Sequence, residues 1–188
     1  MSDGPAWMQA DWGNLVMVSW LVDPSLVQGK LPGGCVADLW EGKAAVSLVG
    51  VEFSNVVVKG ISWPWHDRFP EVNLRTYVQG PNGPGVVFLG ELVPKVLVAR
   101  LARKAFGEPY EKRKVRMEKR VRHSEPEAAY EWEVGTRTFR ISVRAETQAH
   151  PVPAGSLEEF LLHRNRGYNS YRGGTTYEVS HEPWTMRA

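Results

Sequence analysis

The stretch Glu71–Gln79, read Glu-Val-Asn-Leu-Arg-Thr-Tyr-Val-Gln, alternates at every step. Successive side chains of a strand point to opposite faces, so Val72, Leu74, Thr76 and Val78 share one face and Glu71, Asn73, Arg75 and Tyr77 share the other. Gly80-Pro81-Asn82-Gly83-Pro84-Gly85 follows as a turn, and Val86–Val93 is a second extended run, so the pair reads as a hairpin. Pro94 biases Val93 to extended geometry and suits a first helical turn. Lys95–Phe106 then reads as a helix, with Leu97, Val98, Leu101, Ala102, Ala105 and Phe106 on one stripe and Gly107 as its stop.

Extended structure dominates on both sides of this hairpin. An apolar run ends at Val22, Asp23-Pro24 opens a short helical turn through Val27, and Glu41-Gly42-Lys43 turns the chain into a long β-branched run over Ala44–Lys59. Ile61–Pro70, with two prolines and no period, reads as a loop. Lys112–Arg122, Ala129–Val134 and Thr136–Ala145 read as strands. Ser156-Leu157-Glu158-Glu159 is a capping box opening a helix to about His163, and Thr175–Ser180 is a last strand. The expectation is an α+β fold, mostly antiparallel, forming one domain over residues 1–188 with one or two helices packed on the sheet.

Composition bounds the function. Eight Trp among 188 residues argue against disorder, and a formal charge of +2 argues against a general nucleic-acid or membrane-surface binder. Cys35 is the only cysteine, which excludes an intrachain disulfide and fits a reducing, cytoplasmic compartment. Met1–Asp11 lacks the basic and apolar blocks of a secretory signal, and Ala44–Val51, the longest uncharged apolar-rich run, is too short to span a bilayer. His66, His123, His150, His163 and His181 are not spaced as metal ligands, and no dinucleotide, phosphate-loop or nucleophile-elbow motif is present, so neither metal nor cofactor is expected. The basic residues between Lys112 and Arg122 alternate with no aromatic row, and Glu131 and Glu133 stand ready to pair across a ladder, so this face reads as solvated.

Longer motifs carry a resemblance. FPEVNLRTYV (69–78), GVVFLGELVPK (85–95) and GEPY (107–110) occur in this order. VDPSLVQGKLPGG (22–34) and DLWEGKAAVSLVGVEF (38–53) precede them, and GSLEEFLLHRNRGY (155–168) and TTYEVSHEPW (175–184) follow. Together they resemble the YqjF-like family of uncharacterised bacterial proteins over nearly the whole chain. That family is similar in fold to acetoacetate decarboxylase. The resemblance implies a twisted sheet closing into a cone-like barrel around a ligand-sized cavity.

On that reading the polar stripe Glu71, Asn73, Arg75, Tyr77 lines the interior, Glu71 and Arg75 neutralise each other, and the apolar stripe packs under the helix after Pro94. A water-facing stripe is the alternative. Acetoacetate decarboxylases carry a functional glutamate in a motif similar to Pro70-Glu71. Their imine-forming lysine lies in a Pro-Lys-Lys motif after a Glu-Leu pair, which Glu91-Leu92-Val93-Pro94-Lys95 resembles. Lys95 is thus the candidate nucleophile and Glu71 the candidate acid or base. The second cation is replaced by Val96, and the family pattern also admits arginine at the Lys95 position, which forms no imine. Arg75, Asn73, Tyr77, Glu91, His66 and Tyr168 are the candidate substrate-binding residues, and Tyr110 a candidate anchor. The expected partner is a small, apolar or keto-acid-like ligand, with a homo-oligomer compatible with the chain. A non-catalytic binding protein is the alternative function.

Overall fold

The structure, a computed structural model, describes residues 7–62, 67–96, 98–99, 109–146, 148–169, 176–181 and 184–187. The expected helix over 95–106 lies largely outside the described residues, as do His66, Trp63 and Trp65. The remaining elements are mostly antiparallel strands with two short helices.

A large sheet runs in the order β1 (Met8–Val22), β4 (Lys43–Val58), β6 (Phe69–Gly80), β7 (Gly83–Val93), β13 (Arg166–Tyr168), β14 (Thr176–Glu178). Short strands extend it. β2 (Val36–Ala37) pairs with β6, while β3 (Leu39–Trp40) and β5 (Ile61–Ser62) pair with β4. β8 (Tyr110–Lys112) and β13 run parallel to β7. A second, three-stranded sheet is formed by β9 (Val115–Arg122), β10 (Glu125–Val134) and β11 (Arg137–Arg144), and β12 (His150–Pro151) pairs with β15 (Thr185–Met186). α1 (Ser25–Gln28) opens one residue later than expected, with Pro24 rather than Asp23 at its N-cap, while Asp23 Oδ1 accepts from the Ser25 amide at 2.9 Å. α2 (Leu157–Leu162) is capped by Ser156 Oγ, which accepts from the Glu159 amide at 3.1 Å.

The β4–β6 register fixes two faces. Ser47, Val49 and Val51 stand beside Arg75, Asn73 and Glu71, while Leu48 and Gly50 stand beside Leu74 and Val72. Both faces are covered. The second sheet packs on the Val72 side, joining Val16 and Val72 to Val115, Tyr130, Trp132 and Ile141. Val78 meets Cys35, Val87 and Tyr168, where Cys35 acts as a small buried hydrophobe. Val98 and Ala99 instead pack with Val51, Phe53, Phe69 and Val93, on the side of the polar stripe. The apolar stripe is therefore covered by the second sheet, and the start of the expected helix covers the opposite face. The polar stripe is interior: Glu71, Asn73 and Tyr77 are buried.

Three expectations change in detail. The loop over 61–70 is shorter, because Ile61–Ser62 pairs back on β4 and Phe69–Pro70 already lie in β6. The turn over 80–85 contracts to Pro81-Asn82, since Gly80 pairs with Gly83. Tyr168 explains this tightness: its hydroxyl accepts from the Asn82 amide at 3.2 Å and donates to the Gly83 carbonyl at 2.8 Å. Its ring occupies the space that a side chain at Gly80 or Gly85 would need. The basic run splits at Arg113-Lys114, with β8 on the large sheet and β9 on the small one. Some of its charges are matched at the surface, among them Lys114 with Glu133 at 2.7 Å and Arg120 with Glu118 at 3.0 Å.

The sheet does not close into a barrel among the described residues; its path ends at β1 and β14. Aromatic side chains meet across the gap instead. Trp12 of β1 stacks on Trp184 at 5.9 Å between centroids, and His181 lies 4.6 Å from Trp184. A bulge between Gly13 and Val16, with Asn14 at φ 50°, shifts the alternation of β1, so that Met17 faces the interior beside Val49 and Trp12 does so beside Phe53. No helix among the described residues is long and apolar enough to cross a membrane.

Candidate functional site

A recess of about 60 Å³ opens between the two ends of the large sheet, lined by Trp12, Arg75, Phe88, Arg164, His181 and Trp184 among others. Three arginines reach it, and two are neutralised locally. Arg164 pairs with Asp38 at 2.5 Å and lies over the Phe160 ring at 4.2 Å. Arg166 pairs with Glu178 at 2.9 Å. Arg75 has no carboxylate within ion-pair distance among the described residues. Its Nε donates to the Tyr77 hydroxyl at 3.3 Å, and its Nη2 donates to the Leu161 carbonyl at 3.3 Å and to Met17 Sδ at 3.5 Å. Nη1 makes no hydrogen bond there. The fork is held on one side and open on the other.

Tyr77 is the post that holds it. The fully buried ring packs against Phe160 at 5.7 Å between centroids, and the hydroxyl is 2.6 Å from Ser47 Oγ, itself 2.7 Å from Ser19 Oγ. β6, β4 and β1 thus support Arg75 through one hydroxyl chain. α2 adds the Leu161 carbonyl, near the helix end where carbonyls lack intrahelical partners.

Further along the same face lies an acidic end. Glu71 is 3% exposed, Asn73 5% and Glu91 1%. Asn73 and Glu91 are cross-strand neighbours. Glu71 Oε1 accepts from Asn73 Nδ2 at 3.0 Å, and Oε2 accepts from the Tyr110 hydroxyl at 3.2 Å. Burial pushes the Glu71 carboxyl up to about 7, although both hydrogen bonds favour the charged form. Asn73 Oδ1 has no hydrogen-bond partner among the described residues. This arrangement can carry a proton near neutral pH beside a buried acceptor.

The structure therefore brings together Glu71 with Asn73, and Arg75 with Tyr77, on one interior face. It does not pair Glu71 with Arg75. Residues four apart in a strand are separated by about 13 Å, so each finds nearer neighbours. Lys95 and Glu71 share no hydrogen bond: the half-buried Lys95 donates through Nζ to the Arg68 carbonyl at 2.7 Å. Burial nevertheless lowers the Lys95 pKa, with Asp67 acting against it. Tyr168, expected to reach the cavity, latches the β6–β7 turn instead. Tyr110 does anchor through its hydroxyl, on Glu71. Trp12, Arg164 and Trp184 were not among the candidate residues. Only the capping box placed Arg164 near a helix end, and nothing local joins Trp12 to Trp184.

Comparisons agree with this geometry at the level of fold. The chain is 28% identical to the uncharacterized protein YqjF of Bacillus subtilis (strain 168) over 195 residues, covering 98% of this chain and 77% of that protein. The enduracididine biosynthesis enzyme MppR, solved in complex with pyruvate, superposes with a TM-score of 0.65 at 16% identity, covering 89% of this chain and 65% of that one. Acetoacetate decarboxylase from Legionella pneumophila superposes with a TM-score of 0.59 at 15% identity, covering 82% of this chain and 54% of that one. This chain thus spans less than two thirds of either solved structure, and the likeness is one of fold. Residues 9–188 match the family described as an uncharacterized conserved protein, DUF2071, and the chain belongs to that family.

Proposed function

We propose that the protein binds a small keto-acid-like carboxylate in the recess beside the interior face of β6, with Arg75 as the anion anchor and with Glu71, about 13 Å along the strand, beyond the reach of a ligand held there. The observation that carries this reading is the Arg75 fork, fixed by Tyr77 and Leu161 yet without a carboxylate partner among the described residues. A guanidinium so placed favours a carboxylate in a bidentate geometry. The size of the recess, about 60 Å³, suits an acid of few heavy atoms, far below the roughly 300–1,000 Å³ of drug-sized sites. Glu71, near 7 and absent from the lining of the recess, is a separate buried group able to hold or release a proton near neutral pH. MppR was solved with pyruvate, which supports the ligand class.

Quenching of indole fluorescence tests this, because Trp12 and Trp184 line the recess. Pyruvate or acetoacetate is expected to bind the wild type, and Arg75→Gln to weaken binding about 10- to 100-fold, the value of a charge-assisted hydrogen bond. Arg140→Gln, on the second sheet, serves as control. Equal affinity of Arg75→Gln and wild type would overturn the reading.

A second reading makes Lys95 an imine-forming nucleophile. It is favoured by the burial that lowers the amine pKa and opposed by the bond to Arg68. Lys95 is not among the residues that line the recess, and its amine donates to the Arg68 carbonyl. Borohydride treatment with pyruvate is therefore expected to leave Lys95 unmodified by mass spectrometry, and an adduct there would restore the imine reading.

A further inference from the structure

Among the described residues, no Asp, Glu, Asn, Gln, Ser or Thr side chain lines the recess. Its polar side chains are guanidinium, indole, phenol and imidazole, all able to donate a hydrogen bond. Arg164 is the most firmly held of its three guanidiniums. The side chain is 5% exposed, Nη1 pairs with Asp38 at 2.5 Å, Nε donates to the Phe160 carbonyl at 2.6 Å, and Cζ lies 4.2 Å from the centroid of the Phe160 ring. Asp38 does not itself line the recess. These contacts leave Nη2, which makes no hydrogen bond among the described residues. Arg166 differs: its side chain is 26% exposed, and both Nε and Nη2 go to Glu178.

We infer that the ligand of this recess is a dicarboxylic acid, with one carboxylate on Arg75 and the other on Arg164. The inference rests on the Arg75 reading above and extends it from one anionic group to two. Arg75 Nη1 and Arg164 Nη2 are the donors left over on two forks that flank one ring. Their Cζ atoms lie 5.5 and 5.6 Å from the Tyr77 centroid, so the two guanidiniums are at most twice that distance apart. A four-carbon diacid suits such a separation, with about 4 Å between its carboxyl carbons and a charge-assisted bond of about 2.8 Å at either end. Asp38 does not close the second position. It fixes the fork, and a guanidinium has more donors than one carboxylate uses. A fork fixed before the ligand arrives lowers the ordering cost of binding. A monocarboxylic ligand would cover Nη2 without giving it an acceptor, and a charged donor buried in that way carries a desolvation cost.

Quenching of indole fluorescence in the full chain by oxaloacetate and by 2-oxobutanoate, at equal ionic strength, tests this. The two acids share a chain length and differ in a terminal carboxylate against a methyl. Freshly dissolved oxaloacetate is expected to bind the wild type about 10- to 100-fold more tightly, the value of one charge-assisted hydrogen bond. Arg164→Gln with Asp38→Asn, which removes both charges together, is expected to bring the two affinities within about threefold of each other. Equal affinity of the wild type for the two acids overturns the inference and leaves the Arg75 reading standing. A preference for oxaloacetate that survives the double substitution also overturns it, because a group other than Arg164 then selects the second carboxylate. Failure of the wild type to bind either acid overturns the inference and the Arg75 reading together. If the double variant does not fold, Arg164→Lys replaces it, keeping the charge beside Asp38 and losing the fork, with the same outcomes.

Discussion

Glu71→Gln makes the folded protein more stable than the wild type at about pH 8, by on the order of 3 kcal/mol, and by much less at about pH 5. The wild-type carboxyl loses its proton near 4.5 in the unfolded chain and near 7 in the fold. Between those values the folded chain holds more protons, so stability falls as pH rises through this window, and the cost is complete above the folded value. The group is buried, so solvent screening does not erode the effect. Glutamine keeps an oxygen for Asn73 Nδ2 and carries no charge to desolvate. Urea unfolding of both proteins at the two pH values reads the difference. Parallel pH slopes for variant and wild type would show that Glu71 does not titrate in the fold. A wild type more stable than the variant at the higher pH would reverse the assignment of burial as the dominant cause.

Gly50→Ala destabilises the protein by about 3 kcal/mol or more, the upper range of overpacking in a filled core. A Cβ at Gly50 would stand 2.3 Å from Cδ2 of Tyr130. The ring cannot withdraw cheaply: it is fully buried in the cluster that joins the two sheets, and its hydroxyl donates to the Asn14 carbonyl at 2.9 Å. Gly90→Ala is the matched control, since a Cβ at Gly90 meets nothing within 4 Å. Thermal or urea unfolding should leave Gly90→Ala near the wild type. In a double-mutant cycle, Gly50→Ala with Tyr130→Ala should cost well under the sum of the two single substitutions. Additive costs would mean that Tyr130 is not what Gly50 makes room for.

The alternation of Glu71–Gln79 was readable because strand period is a local property, and the Ser156 cap was readable for the same reason. What covers each face was not local. Val72 is buried by Val115, Tyr130 and Trp132, which lie more than forty positions away along the chain and show no sign of their target. The basic run hid its break, because β8 and β9 have the same alternating composition and differ only in partner. The stripe itself was legible in the alternation, but neither its facing inward nor its internal pairing was. Arg75 is held by Tyr77, Met17 and a helix carbonyl from Leu161, and no sequence rule links those positions. Trp12 faces the recess only because the bulge at Asn14 reverses the period of β1.

The Tyr168 latch bears on how the chain is made. The tight β6–β7 turn lies between Gly80 and Gly83, but the ring that fills its glycine gap arrives 85 residues after the carbonyl it binds. During synthesis the hairpin emerges bare. β9, β10 and β11 come out next as consecutive neighbours that pair with short loops, and contacts of that kind form fast. The ribosome therefore delivers the sandwich half first, and the Arg75 end stays unfinished until residues 157–168 are released. A nascent chain stalled before that point should hold a formed second sheet and an unlatched hairpin, with its polar stripe still wet.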